Sequence, residues 1–168
     1  GSIKKDGFFI GNVIEWLESM DVWLVCSSHF CIYALGGITM ERRIVQVFYG
    51  PGKGKTSAAV GQCIREASLG QRVTMIQFLK GKDAEEFNYL DKLEPDIRLF
   101  RFEKSDESYD SLLESQKKEE KQNIRNGMNF ARKVIDTGEC DVLVLDEVLG
   151  LIDLDIITVD DILSLIDL

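Results

Sequence analysis

The chain has 168 residues, enough for one domain with a substantial core. Hydrophobic residues make up 45% and charged residues 29%, the balance of a soluble globular protein. A formal net charge of −9 argues against nucleic acid or an anionic membrane surface as a partner.

The leading Gly1-Ser2 reads as an expression scar, and residues 1–39 as this tag plus an extension to which the pattern assigns no role. Within it, 12–20 is helix-like, and "VWLVCSSHFCIYALGGITM" (22–40) carries no charge. That stretch is long enough for a membrane span. Ser27, Ser28, His29 and two glycines dilute it, and acids precede it, so a buried strand pair or a misfitting extension is the better reading. Residues 40–168 form the domain proper. "RIVQVFY" (43–49) predicts a strand. A glycine-rich loop follows, and then a helix over 55–70, with Ala58, Ala59, Cys63 and Ala67 on one face and Gly70 as its C-terminal cap.

"RVTMIQF" (72–78) predicts a second strand, and 83–95 a helix opened by Asp83 and stopped at Pro95. "IRLFRF" (97–102) predicts a third strand, 103–110 a mobile polar loop, and 111–138 a long helix burying Ile124, Met128, Ala131 and Ile135. "CDVLVLDEV" (140–148) predicts a fourth strand, central because it is almost wholly apolar. A short helix over 158–168 ends the chain. After Lys133 there are ten Asp or Glu and no Lys or Arg, which reads as a solvated acidic face. Strands alternating with helices predict a mainly parallel sheet covered on both faces. Such a sheet normally carries a further strand after the acidic one, so the pattern predicts either a domain lacking its C-terminal strand or another segment filling that edge, for which "DVWLVCSS" (21–28) is the candidate.

Four cysteines (Cys26, Cys31, Cys63, Cys140) form no C-x-x-C pair, and the single His29 offers no zinc set. Cys63 and Cys140 lie in apolar patterns, which predicts reduced core thiols and a cytoplasmic protein.

Chemistry concentrates in two places. "GPGKGKT" (50–56) sits between strand and helix, where backbone N–H groups and the helix N-terminus bind phosphate. Gly50, Gly52 and Gly54 permit the bend, and Pro51 removes one donor. Lys53 faces nucleotide or solvent. Lys55 supplies a cation, and Thr56 or Ser57 a hydroxyl for Mg²⁺. The first glycine, Gly50, stands one position later than in the usual G-x-x-x-x-G-K-[ST] pattern. "VLVLDEV" ends a strand about ninety residues on, with Asp146 and Glu147 as candidate metal carboxylates. Gln77 and Lys80 fall at the end of the second strand, where open α/β sheets bind ligands. Phe100, Phe102 and Tyr109 could wall a flat apolar ligand, although phenylalanines there are more often core.

The loop "GPGKGKTSAA", the strand end "IQFLKGK" and "CDVLVLDEV" together resemble the P-loop-type ATP:corrinoid adenosyltransferases, over residues 41–168. The displaced first glycine is shared with that family and is the specific element. The resemblance implies a RecA-like α/β domain, usually a homodimer, that transfers the 5′-deoxyadenosyl group of ATP to the cobalt of a reduced corrinoid and releases triphosphate. It implies that Lys55 and Thr56 bind phosphates, that Thr56 and Glu147 serve Mg²⁺ with Asp146 beside them, and that Arg65 contacts phosphate. A reductase delivering Co(I) is an implied partner. Where better-known members carry a "GFTW"-like aromatic pair, this chain reads "FEKSDESYD". The motifs alone leave a P-loop ATPase or kinase, or a non-catalytic nucleotide-binding protein, as alternatives.

Overall fold

The structure, a computed structural model, describes residues 24–26, 31–35, 45–49, 53–79, 91–104 and 109–168. The segment 12–20, His29, Lys80 and most of the predicted 83–95 helix lie outside the described residues. The elements are β1 (Leu24–Cys26), β2 (Cys31–Leu35), β3 (Val45–Tyr49), α1 (Lys55–Ser68), β4 (Val73–Gln77), β5 (Ile97–Arg101), α2 (Glu114–Asp136), β6 (Val142–Asp146), α3 (Val148–Asp153) and α4 (Val159–Ile166). Short 3-10 turns occur at Asp91–Leu93 and Tyr109–Ser111.

The strands form one sheet in the order β1-β3-β2-β6-β4-β5. β1 runs parallel to β3, and β4 runs parallel to both β5 and β6. β2 alone is reversed, antiparallel to β3 on one side and β6 on the other. The fold is therefore α/β with a mainly parallel sheet, consistent with a RecA-like P-loop domain. The candidate edge segment 21–28 enters the sheet through Leu24–Cys26, beside β3. β2, from the same N-terminal stretch, occupies an inner position between β3 and β6.

Alternation along each strand sorts side chains to two faces. Val73, Met75, Ile97, Val142 and Val144 pack under Ala59 and Cys63 of α1. Val45, Val47, Ile76, Phe78, Leu143 and Leu145 pack under α2, α3 and α4 through Ile124, Met128, Ala131, Leu151, Ile162 and Leu165. Complete burial of one such large apolar side chain contributes roughly 1.5–3 kcal/mol. β4 and β6 are buried at every position, as inner strands covered on both faces should be.

Helix ends follow local chemistry. Gly70 (φ +81°) and Gly138 (φ +61°) close α1 and α2 in the left-handed conformation. In each case the next two N–H groups, those of Gly70 and Gln71 or of Gly138 and Glu139, reach back to helix carbonyls at 2.9–3.1 Å. Thr158 caps α4, its hydroxyl accepting the Asp161 N–H while the Asp161 carboxylate accepts the Thr158 N–H.

Three expectations shift. α1 exposes Ala58 and buries Glu66. Ile135 is only half-buried, and Val134 takes the fully buried position. The fourth strand stops at Asp146, because Glu147 turns to φ +61° and starts the unforeseen α3.

Candidate active site

The site forms where the parallel strands end. β3 leads into the glycine-rich loop; Gly50, Pro51 and Gly52 lie outside the described residues, and Lys53 is exposed. Gly54 adopts φ +102°, and a Cβ there would meet nothing within 4 Å. Backbone conformation, not space, therefore requires glycine at this point. Its carbonyl accepts the Ala58 N–H at 2.8 Å, which starts α1. The first turn of α1 holds no acid, so the partial positive charge of the helix end favours an anion there.

Lys55 and Thr56 are both buried in that turn, at 8% exposure each, while Ser57 faces solvent. The Thr56 hydroxyl donates to the Asp146 carboxylate, 3.2 Å from Oδ2 and 3.3 Å from Oδ1. Of the two hydroxyls proposed for a metal, Thr56 is thus the one beside the carboxylate. Two residues 90 positions apart meet because α1 lies across the face of the sheet on which Val142, Val144 and Asp146 project. Asp146 is 2% exposed, and Gln77 of β4, directly opposite it in register, donates through Nε2 to Oδ2 at 3.1 Å.

Glu147 follows at φ +61°, half-buried, at the N-terminal cap of α3. A non-glycine residue in that conformation carries a local conformational cost of about 1–2 kcal/mol, which is characteristic of functional positions. Among the described residues there is no cluster of three or more His, Cys, Asp or Glu side chains. Mg²⁺ needs none, since it is commonly held by one or two carboxylates, a hydroxyl, waters and substrate phosphates.

Arg65 is placed elsewhere. It lies ten residues along α1 from Lys55, about 15 Å at the helical rise. Its guanidinium pairs with Glu66, which also accepts from Gln62. Within this chain, Arg65 is therefore not brought to Lys55 and Thr56.

At the end of β5 the aromatic residues pack inward. Phe100 and Phe102 share a face and pack against Phe130 of α2 in tilted ring contacts, with centroids 4.5 and 5.8 Å away. Tyr109 is half-buried, with the Lys117 ammonium 6.0 Å from its ring centre. Residues 105–108 of this stretch lie outside the described residues.

Burial drives the Cys63 thiol, below the site, up to about 12, and the Asp146 charge adds in the same direction. Cys63 and Cys140 are free thiols, and burial raises Cys140 too. Glu120 was not foreseen: this carboxylate in the polar half of α2 is 5% exposed and accepts the Lys104 N–H at 3.0 and 3.2 Å. Nothing in its run of charged neighbours marks it. Gln77 did carry a signal, as an amide inside an apolar strand.

Comparison with known proteins adds three findings. Residues 41–168 match the profile of the family described as ATP:corrinoid adenosyltransferase BtuR/CobO/CobP. The corrinoid adenosyltransferase of Escherichia coli (strain K12) is 51% identical over 41 residues, 24% of this chain and 21% of that protein. Corrinoid adenosyltransferase CobA of Salmonella typhimurium shows the same identity over the same shares. The aligned region thus spans about a fifth of the length of these curated relatives. No solved structure matches.

Proposed function

This chain belongs to the ATP:corrinoid adenosyltransferase family, and from that premise we propose that it transfers the 5′-deoxyadenosyl group of ATP to the Co(I) of a reduced corrinoid, releasing triphosphate. The observation that carries this reading is the buried Thr56–Asp146 contact at the N-terminus of α1. It joins the phosphate loop to the acidic strand end in one site.

The chemistry divides between substrates and protein. Co(I) supplies the electron pair for the new Co–C5′ bond, and the C5′–O bond breaks with its pair passing to triphosphate. No protein nucleophile is needed. The protein aligns C5′ with cobalt and stabilises the departing polyanion. The α1 N–H groups and Lys55 serve the triphosphate, together with the loop Gly50–Gly54. Thr56, Asp146 and Glu147 offer hard oxygen donors that suit Mg²⁺. Bound there, the ion would neutralise phosphate charge. Arg65 remains a proposed phosphate contact by family pattern alone, and its distance along α1 makes it the weakest member of the set.

A homodimer, a reductase that delivers Co(I) and a cytoplasmic setting complete the reading. No helix among the described residues is long and apolar enough to cross a membrane. The test is incubation with ATP, Mg²⁺ and cob(I)alamin under anaerobic reducing conditions. Adenosylcobalamin with triphosphate is expected. ADP and phosphate would instead identify an ATPase or kinase, and binding without product a nucleotide-binding protein. Lys55→Ala should abolish ATP binding or turnover, and unchanged activity would defeat the phosphate-loop assignment.

A further inference from the structure

Gln77 stands out among the buried polar groups. β4 reads Val-Thr-Met-Ile-Gln and is buried throughout, and Gln77 itself is 1% exposed. Val73 and Met75, on the same face of the strand, pack into the apolar layer beneath α1. Packing alone would favour another apolar residue at 77, because a buried amide without a partner costs on the order of 1–3 kcal/mol. The partner it has is Asp146, at 3.1 Å and directly opposite in register. An ionised carboxylate only accepts hydrogen bonds, so the nitrogen end of the amide must face it. The two backbones are held as well: the Phe78 N–H donates to the Asp146 carbonyl at 3.2 Å, and the Phe102 N–H to the Gln77 carbonyl at 3.0 Å.

We infer that Gln77 is a positioning residue, holding the Asp146 carboxylate in the rotamer that meets Thr56 and so setting the donor geometry for a phosphate-bound divalent cation. Thr56 has one hydroxyl proton to share, and its oxygen lone pairs are what a cation would use. The Gln77 amide makes no such change of partner. It can stay on Asp146 with or without nucleotide, which keeps the carboxylate preorganised. Orientation of a metal-site carboxylate by a neighbouring hydrogen bond commonly alters metal affinity by 10–100-fold.

This rests on the phosphate-and-magnesium part of the proposed function, and its test separates the two. Gln77→Met keeps the length and volume and removes the donor. Gln77→Glu keeps the shape and opposes Asp146 with a second acid. Affinity for a fluorescent ATP analogue is measured for the full chain with Mg²⁺ and again with EDTA, alongside thermal stability. For Gln77→Met the expected result is an approximately tenfold or larger loss of affinity with Mg²⁺ and little change in EDTA. Gln77→Glu should lose more with Mg²⁺. Equal losses in both buffers, or no loss in either variant, would overturn the role of Gln77. If the wild-type chain releases ADP instead of adenosylcobalamin while the Mg²⁺-selective loss persists, the positioning role stands and the adenosyltransferase reading falls.

Discussion

Gly127 sits inside α2, where glycine costs about 1 kcal/mol relative to alanine by intrinsic helix preference. Contact explains its presence. A Cβ built at Gly127 would lie 2.7 Å from Phe102 Cγ, 2.7 Å from Phe78 Cε1 and 2.8 Å from Phe102 Cδ2. Phe102 Cγ can move clear only by a change of χ1, and the ring is hemmed in by Phe78 and Phe130, with centroids 6.4 and 5.8 Å away. Phe78 is fully buried and has no free direction either. Overpacking of this kind costs about 1–3 kcal/mol, and two rings meeting one methyl place Gly127→Ala in the upper part of that range. Set against the gain in helix preference, the net loss should be about 1–2 kcal/mol. At 2–4 °C per kcal/mol for a chain of this size, Tm should fall by about 2–8 °C. Gly61 of α1 is the matched control, since a Cβ there meets nothing within 4 Å. Gly61→Ala should gain up to about 1 kcal/mol and raise Tm by about 2–4 °C. Both melts must be run without nucleotide, because bound ligand shifts Tm by itself. A rise in Tm for Gly127→Ala would refute the close-approach argument.

Other perturbations probe different links. Tyr33→Pro removes an N–H from the middle of β2, which is paired on both sides, to Gln46 and to Val144. The urea midpoint and the affinity for Mg²⁺-nucleotide should both drop, because β2 sets the spacing between the strand leading into the loop and the strand bearing Asp146; unchanged affinity would dismiss β2 as a spacer. Cys63, with its thiol pushed up to about 12, should resist iodoacetamide at pH 8 in the folded protein and react once unfolded, as read by peptide mass mapping. Rapid native labelling would contradict its burial. The Arg72 guanidinium, bonded to Asp141 at 2.8 and 3.0 Å, holds that carboxyl below its ordinary value. A depressed value means that its stabilising effect is complete above the unfolded pKa of about 3.9 and is lost as pH falls through the folded one. The Tm gap between wild type and Asp141→Asn should therefore be constant near neutrality and shrink below about pH 4; a gap that widens in acid would show the wrong sign.

What could be read from residues alone was local. The strand–loop–helix around Lys55, the cap at Gly70 and the apolar runs of β4 and β6 depend on neighbours a few positions apart. Side-chain period, turn chemistry and capping record such neighbours directly. The same local signals put Thr56 just after one strand and Asp146 at the end of another. Which strand lies beside which was a different matter. Backbone ladders form between any extended segments and carry little sequence identity. The entry of β2 between β3 and β6, and the meeting of Gln77 with Asp146, were therefore decided only when the whole sheet assembled. Glu120 illustrates the same limit. Its acceptance of the Lys104 N–H depends on how α2 lies against the end of β5, a geometry set by the packing of Phe78, Phe102 and Phe130 around Gly127 and not by the charged run in which Glu120 sits.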